Sequence, residues 1–149
     1  MVNRKLHPKR FFSEEEKKLI VRAVCQAEHK TSGEIRVYLE RKSKGHVMEQ
    51  AKKVFEKLGM TRTKHRNGVL IYFSLRGRNF AILGDRGLHE KVGDDFWKDV
   101  AFGMQNSFSK DDFVGGLEAV IREIGERLKK HFPRELRDID ELPDEIETN

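Results

Sequence analysis

The residues best suited to chemistry fall in three short segments. They are Thr31-Ser32-Gly33-Glu34, Arg66-Asn67-Gly68, and Gly84 to Asp95, which reads GDRGLHEKVGDD. Together they supply carboxylates at Glu34, Asp85, Asp94 and Asp95, hydroxyls at Thr31 and Ser32, an amide at Asn67, and guanidinium groups at Arg66 and Arg86. Clustered oxygens suit a hard cation such as calcium or magnesium, and arginines suit phosphate oxygens. A plainer reading competes with both. Asp94 or Asp95 can cap a helix that begins near Phe96, where the helix dipole favours acids. Gly84 and Gly87 can simply permit turn geometry.

Other chemistries lack a pattern. There is no G-x-x-x-x-G-K-[ST] loop, no G-x-G-x-x-G, no H-E-x-x-H, no C-x-x-C and no G-x-S-x-G. The histidines (7, 29, 46, 65, 89 and 131) are dispersed, without metal-ligand spacing. The single cysteine, Cys25, falls opposite the apolar stripe of its helix, with only His29 nearby to activate it.

The elements that position the three segments can be read from periodicity. Ser13 and Glu16 make a capping-box pattern, and Leu19, Ile20, Ala23, Val24 and Ala27 follow at helical spacing. GEIRVYLER alternates Ile35, Val37 and Leu39 with Glu34, Arg36, Tyr38 and Glu40, a strand with one apolar and one mixed face. A helix carries Val47, Ala51, Val54, Phe55 and Leu58 and stops at Gly59. GVLIYFSL reads as a strand buried on both faces, and RGRN turns it into an antiparallel partner, FAILG. Two helices close the chain. One carries Phe96, Trp97, Val100, Ala101, Met104 and Phe108. The other, with Ser109 and Asp112 as its start signal, carries Phe113, Leu117, Val120, Ile121, Ile124 and Leu128 and ends near Phe132-Pro133. The phenylalanines all fit such core stripes.

The order α-β-α-β-β-α-α implies a parallel crossover from the first strand to the second, followed by a hairpin. Helices must cover both faces of the apolar central strand. The expected fold is therefore an α/β protein, a three-layer α/β/α sandwich around a short mixed sheet. In that topology the starts of strands one and two and the end of strand three share one edge, so the three segments converge. The usual ligand edge of a doubly wound sheet is the opposite one.

The 149-residue chain is 37% charged and carries a net +5. Seven acids against two arginines give positions 133–149 a charge of −5, leaving +10 on the remainder. Residues 1–132 read as one domain and 133–149 as an acidic, flexible tail. The basic residues are scattered, without a lysine- or arginine-rich block. No apolar run is long enough for a membrane span, and the N-terminus has no secretory pattern. A soluble, cytoplasmic chain is expected, without membrane insertion.

Thr31-Ser32-Gly33-Glu34-Ile35, Asn67-Gly68-Val69-Leu70, the set Gly84, Gly87, Leu88 and Asp94, and the segment Asp111 to Leu117 occur in the order of short elements in the TPM domain family, which the chain resembles from about Phe12 to Phe132. The resemblance implies an α/β/α sandwich. It also implies calcium binding, reported for some members, and phosphatase activity, attributed to a few. Asp94 is the acid that carries over from the family pattern; Asp85 is local to this chain. Arg66 stands where the family often has an acid and His89 where it often has glutamate, which disfavours a calcium site and favours an anion contact. Three functions follow, in this order. The first is a non-catalytic interaction or regulatory domain with a protein partner. The second is a metal-assisted phosphatase-like hydrolase using Asp94, aided by Asp85 or Glu34, with Arg66 or Arg86 on phosphate. The third is salt-sensitive nucleic-acid binding by the basic body, ranked last because no exposed aromatic is evident for stacking.

Overall fold

The structure, a computed structural model, describes residues 4–134 and 146–148. Three strands form a mixed sheet in the order β3-β2-β1: β1 (Glu34–Glu40), β2 (Gly68–Ser74) and β3 (Asn79–Gly84). β1 runs parallel to β2, with Glu34 opposite Gly68 and Tyr38 opposite Tyr72. β3 returns antiparallel, with Gly84 opposite Val69. A two-residue strand, β4 (Glu147–Thr148), pairs in parallel with Tyr38 and Leu39 on the outer edge of β1. Of the segment expected to form an acidic tail, 135–145 lies outside the described residues; Ile146, just before β4, packs against the core.

Four helices complete the chain: α1 (Glu14–Glu28), α2 (Val47–Lys57), α3 (Arg86–Ser109) and α4 (Phe113–His131). Every residue of β2 is buried, as its unbroken apolar run requires. Its odd positions, Val69, Ile71 and Phe73, join Ile35, Val37 and Leu39 under the layer of α1, α3 and α4. Its even positions, Leu70 and Tyr72, join Tyr38 and Ala81 under α2, with Ala51, Val54 and Phe55. The result is the expected three-layer sandwich. The mixed face of β1 is buried too. There Tyr38 and Tyr72 stack at 6.1 Å, and the Tyr72 hydroxyl donates to the Glu40 carboxylate, which also accepts from Gln50 Nε2 at 3.0 Å. Burial and that carboxylate push the Tyr72 hydroxyl far above its usual range.

The capping box of α1 forms as its sequence predicts. Ser13 Oγ accepts the Glu16 N–H at 3.1 Å, and the Glu16 carboxylate accepts the Ser13 N–H at 2.9 Å. The same carboxylate is gripped by both terminal nitrogens of Arg4 at 2.7 Å, while the guanidinium lies over Phe11, Phe12 and Phe113. This pins the N-terminal segment to α1 and to the start of α4.

Four expectations need correction. Leu19 is 41% exposed rather than core; the α1–α4 crossing is tight at Ala27 and Gly125, where an added Cβ would lie 2.7 Å from that of Ala27. The fourth helix is capped by Asp112, which accepts the Gly115 N–H at 3.1 Å, whereas Ser109 ends α3 and donates to the Asn106 carbonyl. The third helix begins at Arg86, ten residues before Phe96, because Asp85 caps it and Leu88 and Val92 turn inward at i, i+4 spacing. Gly93 interrupts it at φ 77°, ψ 174°, a conformation essentially confined to glycine. Finally, Phe102 is 75% exposed, so the phenylalanines do not all fit the core.

The Arg4 contact holds the Glu16 carboxyl down at about 2, against an ordinary 4.5. A depressed carboxyl contributes stability above its unfolded value and loses it as pH falls toward the folded one. Replacing Glu16 with glutamine should therefore lower stability at pH 7 by about 2 kcal/mol, allowing for partial solvent screening. Urea denaturation at pH 7 and pH 2.5 should show the gap between wild type and variant shrinking at the lower pH.

Candidate functional site

The edge where β1 and β2 begin and β3 ends is built largely from the predicted segments. Thr31 Oγ1 donates to the Phe132 carbonyl and accepts the Gly33 N–H at 3.0 Å, while the Ser32 N–H donates to the same Phe132 carbonyl at 3.0 Å. Thr31 thus ties the entry to β1 to the exit of α4. Asn67, 1% exposed, spans to the next loop, its Nδ2 donating to Ser32 Oγ at 3.2 Å and its backbone N–H to Thr63 Oγ1 at 3.3 Å. Glu34 is buried at the start of β1.

Arg66 occupies a left-handed backbone conformation, φ 52°, just before β2. Its Nε and one terminal nitrogen meet Asp85 at 2.6 and 2.9 Å, a bidentate pair, and the carboxylate raises the guanidinium above its usual value. Asp85 Oδ1 also accepts the Arg86 N–H at 2.8 Å, so one buried carboxylate both caps α3 and neutralises Arg66. Backbone contacts repeat the connection. The Asp85 N–H donates to the Gly68 carbonyl at 2.9 Å, and the Gly87 N–H to the Arg66 carbonyl at 2.8 Å. Gly87 is required here by proximity, since a Cβ would lie 2.1 Å from the His65 carbonyl oxygen.

Asp94 and Asp95 sit elsewhere in this arrangement. They open the second half of α3, beyond the Gly93 break, and both are exposed. Asp94, with its side chain 80% exposed, approaches His89 Nε2 at 3.4 Å across the break. The other ring nitrogen, Nδ1, accepts the Trp97 indole N–H at 3.0 Å. Trp97 in turn lies against Gly84, where a Cβ would be 2.2 Å from the indole ring. The Arg86 side chain is exposed and takes no part in the Asn67–Ser32 or Arg66–Asp85 side-chain contacts; only its backbone N–H meets Asp85. Among the described residues no group of three or more His, Cys, Asp or Glu side chains is placed to hold a metal ion.

The chain matches the TPM domain family over residues 7–127. It belongs to the TPM domain family. The solution structure of the BA42 protein from the psychrophilic bacterium Bizionia argentinensis is 44% identical in sequence, with a TM-score of 0.87 over 93% of this chain and 96% of that one. The N-terminal domain of the cg2496 protein from Corynebacterium glutamicum shares the fold at 16% identity, with a TM-score of 0.59 over 78% of this chain and 74% of that one. Among curated proteins none matches the chain. No helix among the described residues is long and apolar enough to cross a membrane.

Within this TPM domain the departures noted in the sequence acquire a physical form. The anion contact expected of Arg66 is intramolecular: its partner is Asp85. His89 stands between Asp94 and Trp97 on the surface of α3. Glu28, at the last turn of α1 and outside the three predicted segments, has a buried carboxylate that accepts the Ile35 N–H at 2.7 Å. An acid closing a helix against its dipole was the available signal.

A double-mutant cycle tests the joint. Arg66→Ala and Asp85→Ala should each destabilise the TPM domain, and the double variant should be little worse than Asp85→Ala, which already removes the ion pair together with the α3 cap. Gly87→Ala should cost about 1–3 kcal/mol or more, because the clash is with backbone. Chemical denaturation measures all four.

Proposed function

We propose that this TPM domain is a non-catalytic interaction or regulatory domain, and that the convergent edge is its structural joint rather than a reaction centre. The observation that carries this reading is the double use of Asp85. Its carboxylate accepts three N–H groups, two from Arg66 and one from Arg86, so binding a cation there would require breaking an ion pair and a helix cap together. Asn67 likewise donates to Ser32 in the neighbouring loop, and the Thr31 hydroxyl to the Phe132 carbonyl at the end of α4.

A second reading, metal-assisted phosphatase-like hydrolysis, draws support from the exposed Asp94 beside His89, an acid and an imidazole open to solvent on the family's acidic position. In that reading magnesium or calcium would be held from Asp94 and Asp95, and Arg86 would meet phosphate. Nucleic-acid binding by the basic body draws its support from charge and from the one strongly exposed aromatic among the described residues, Phe102.

Hydrolysis of a generic phosphomonoester separates the first two. Wild type and Asp94→Ala are assayed with EDTA, magnesium or calcium. We expect both proteins to match the protein-free rate under every condition. Metal-dependent turnover by wild type that Asp94→Ala loses would reject the interaction reading in favour of hydrolysis.

A further inference from the structure

The opposite sheet edge, where β1 and β2 end, carries a different chemistry. Two segments leave it: Arg41-Lys42-Ser43-Lys44 after β1, and Arg76-Gly77-Arg78 in the β2–β3 turn. They lie side by side, the Leu75 and Arg76 N–H groups donating to the Glu40 and Arg41 carbonyls at 2.9 Å. Five cations therefore gather at one edge, all exposed, and neither segment contains a carboxylate. None of the five forms an ion pair with a described residue. The nearest acid in sequence, Glu40, is buried and holds Tyr72 and Gln50 on the α2 side.

Between the two segments is a groove of about 320 Å³ lined by Lys42, Ser43, Ser74, Arg76, Gly77 and Asn79. Apart from Gly77, every lining residue carries a polar or basic side chain. Ser74, only 2% exposed, accepts the Ser43 N–H at Oγ, at 3.0 Å, and its own hydroxyl hydrogen is donated to no described residue. A buried hydroxyl that donates to no described residue, in a groove also lined by a lysine and an arginine, suits a multiply charged oxyanion. The position also agrees with the general placement of ligands outside the carboxyl ends of parallel strands. The groove's volume lies at the low end of the range of small-molecule sites.

We propose that this edge binds a small phosphate-bearing anion, a phosphomonoester or diphosphate group held by Lys42, Arg76 and the Ser74 hydroxyl, with Arg41, Lys44 and Arg78 raising its local concentration. Binding needs no hydrolysis and no metal. It also concerns the edge opposite Asp85 and Asp94, so Asp94-dependent turnover would overturn the preceding reading and leave this one standing.

The test is an amide NMR titration of the full chain with sodium pyrophosphate at constant ionic strength, with sodium chloride as the matched control. Saturating shifts should centre on Ser43, Gly77 and Asn79, and chloride should not reproduce them. The exposed pair K42Q/R76Q should keep the wild-type spectrum elsewhere and bind roughly tenfold more weakly or worse, having lost two charge-assisted contacts. Shifts that chloride reproduces, saturation centred on Asn67 and Gly87 instead, or equal affinity in K42Q/R76Q would each overturn the proposal.

Discussion

β2 has protein on both faces and a strand on both sides, and the rest of the chain is arranged to make that possible. Seven consecutive buried residues leave no backbone group to water, so β1 and β3 must satisfy its hydrogen bonds while two helical layers cover its side chains. The ends of such a strand are its difficult points, because the ladder stops while burial continues. At the start of β2 the solution is local: the Gly68 carbonyl is taken by the Asp85 N–H, and the Arg66 carbonyl by the Gly87 N–H. The Arg66–Asp85 ion pair lies over these two backbone bonds and makes the same connection with side chains. A partly exposed guanidinium on a buried carboxylate adds modestly to stability by itself, yet losing Arg66 leaves the buried Asp85 charge unmatched. It therefore fixes geometry more than it adds free energy.

This explains why an edge rich in functional-looking residues reads as a joint. Polar groups collected where three loops meet can serve an outside ligand or each other. Here Thr31 serves Phe132 and Gly33, Asn67 serves Ser32, and Asp85 serves Arg66 and Arg86. An acid in place of Arg66 would set two carboxylates facing each other, an arrangement that calls for a cation. With arginine there, the positive charge is covalently attached to the chain.

Much of the framework was legible in the sequence because it follows from periodicity. The run from Gly68 to Leu75 forced a two-sided strand, the Ser13–Glu16 spacing set the start of α1, and the parallel crossover placed the three segments on one edge. The interval from Arg86 to Val92 was harder. Its two inward residues, Leu88 and Val92, give one helical spacing only, and the glycines at 87 and 93 resemble turn signals. In fact Gly87 answers a close backbone approach that depends on tertiary contact, and Gly93 breaks a helix rather than preceding one. Pairing was hidden for a similar reason. Arg66 and Asp85 are nineteen positions apart, and nothing local marks them as partners. The basic groove at the far edge was equally invisible, since Lys42 and Arg76 become neighbours only when β1 and β2 are in register.

Closure of the Asp85 edge by its own arginine can be followed through the amide shifts of the full chain during a calcium titration at fixed ionic strength. No saturable change is expected at the Gly33, Asn67, Asp85 and Gly87 amides. Saturable shifts at those four positions, accompanied by exposure of the Arg66 guanidinium protons to solvent exchange, would contradict it.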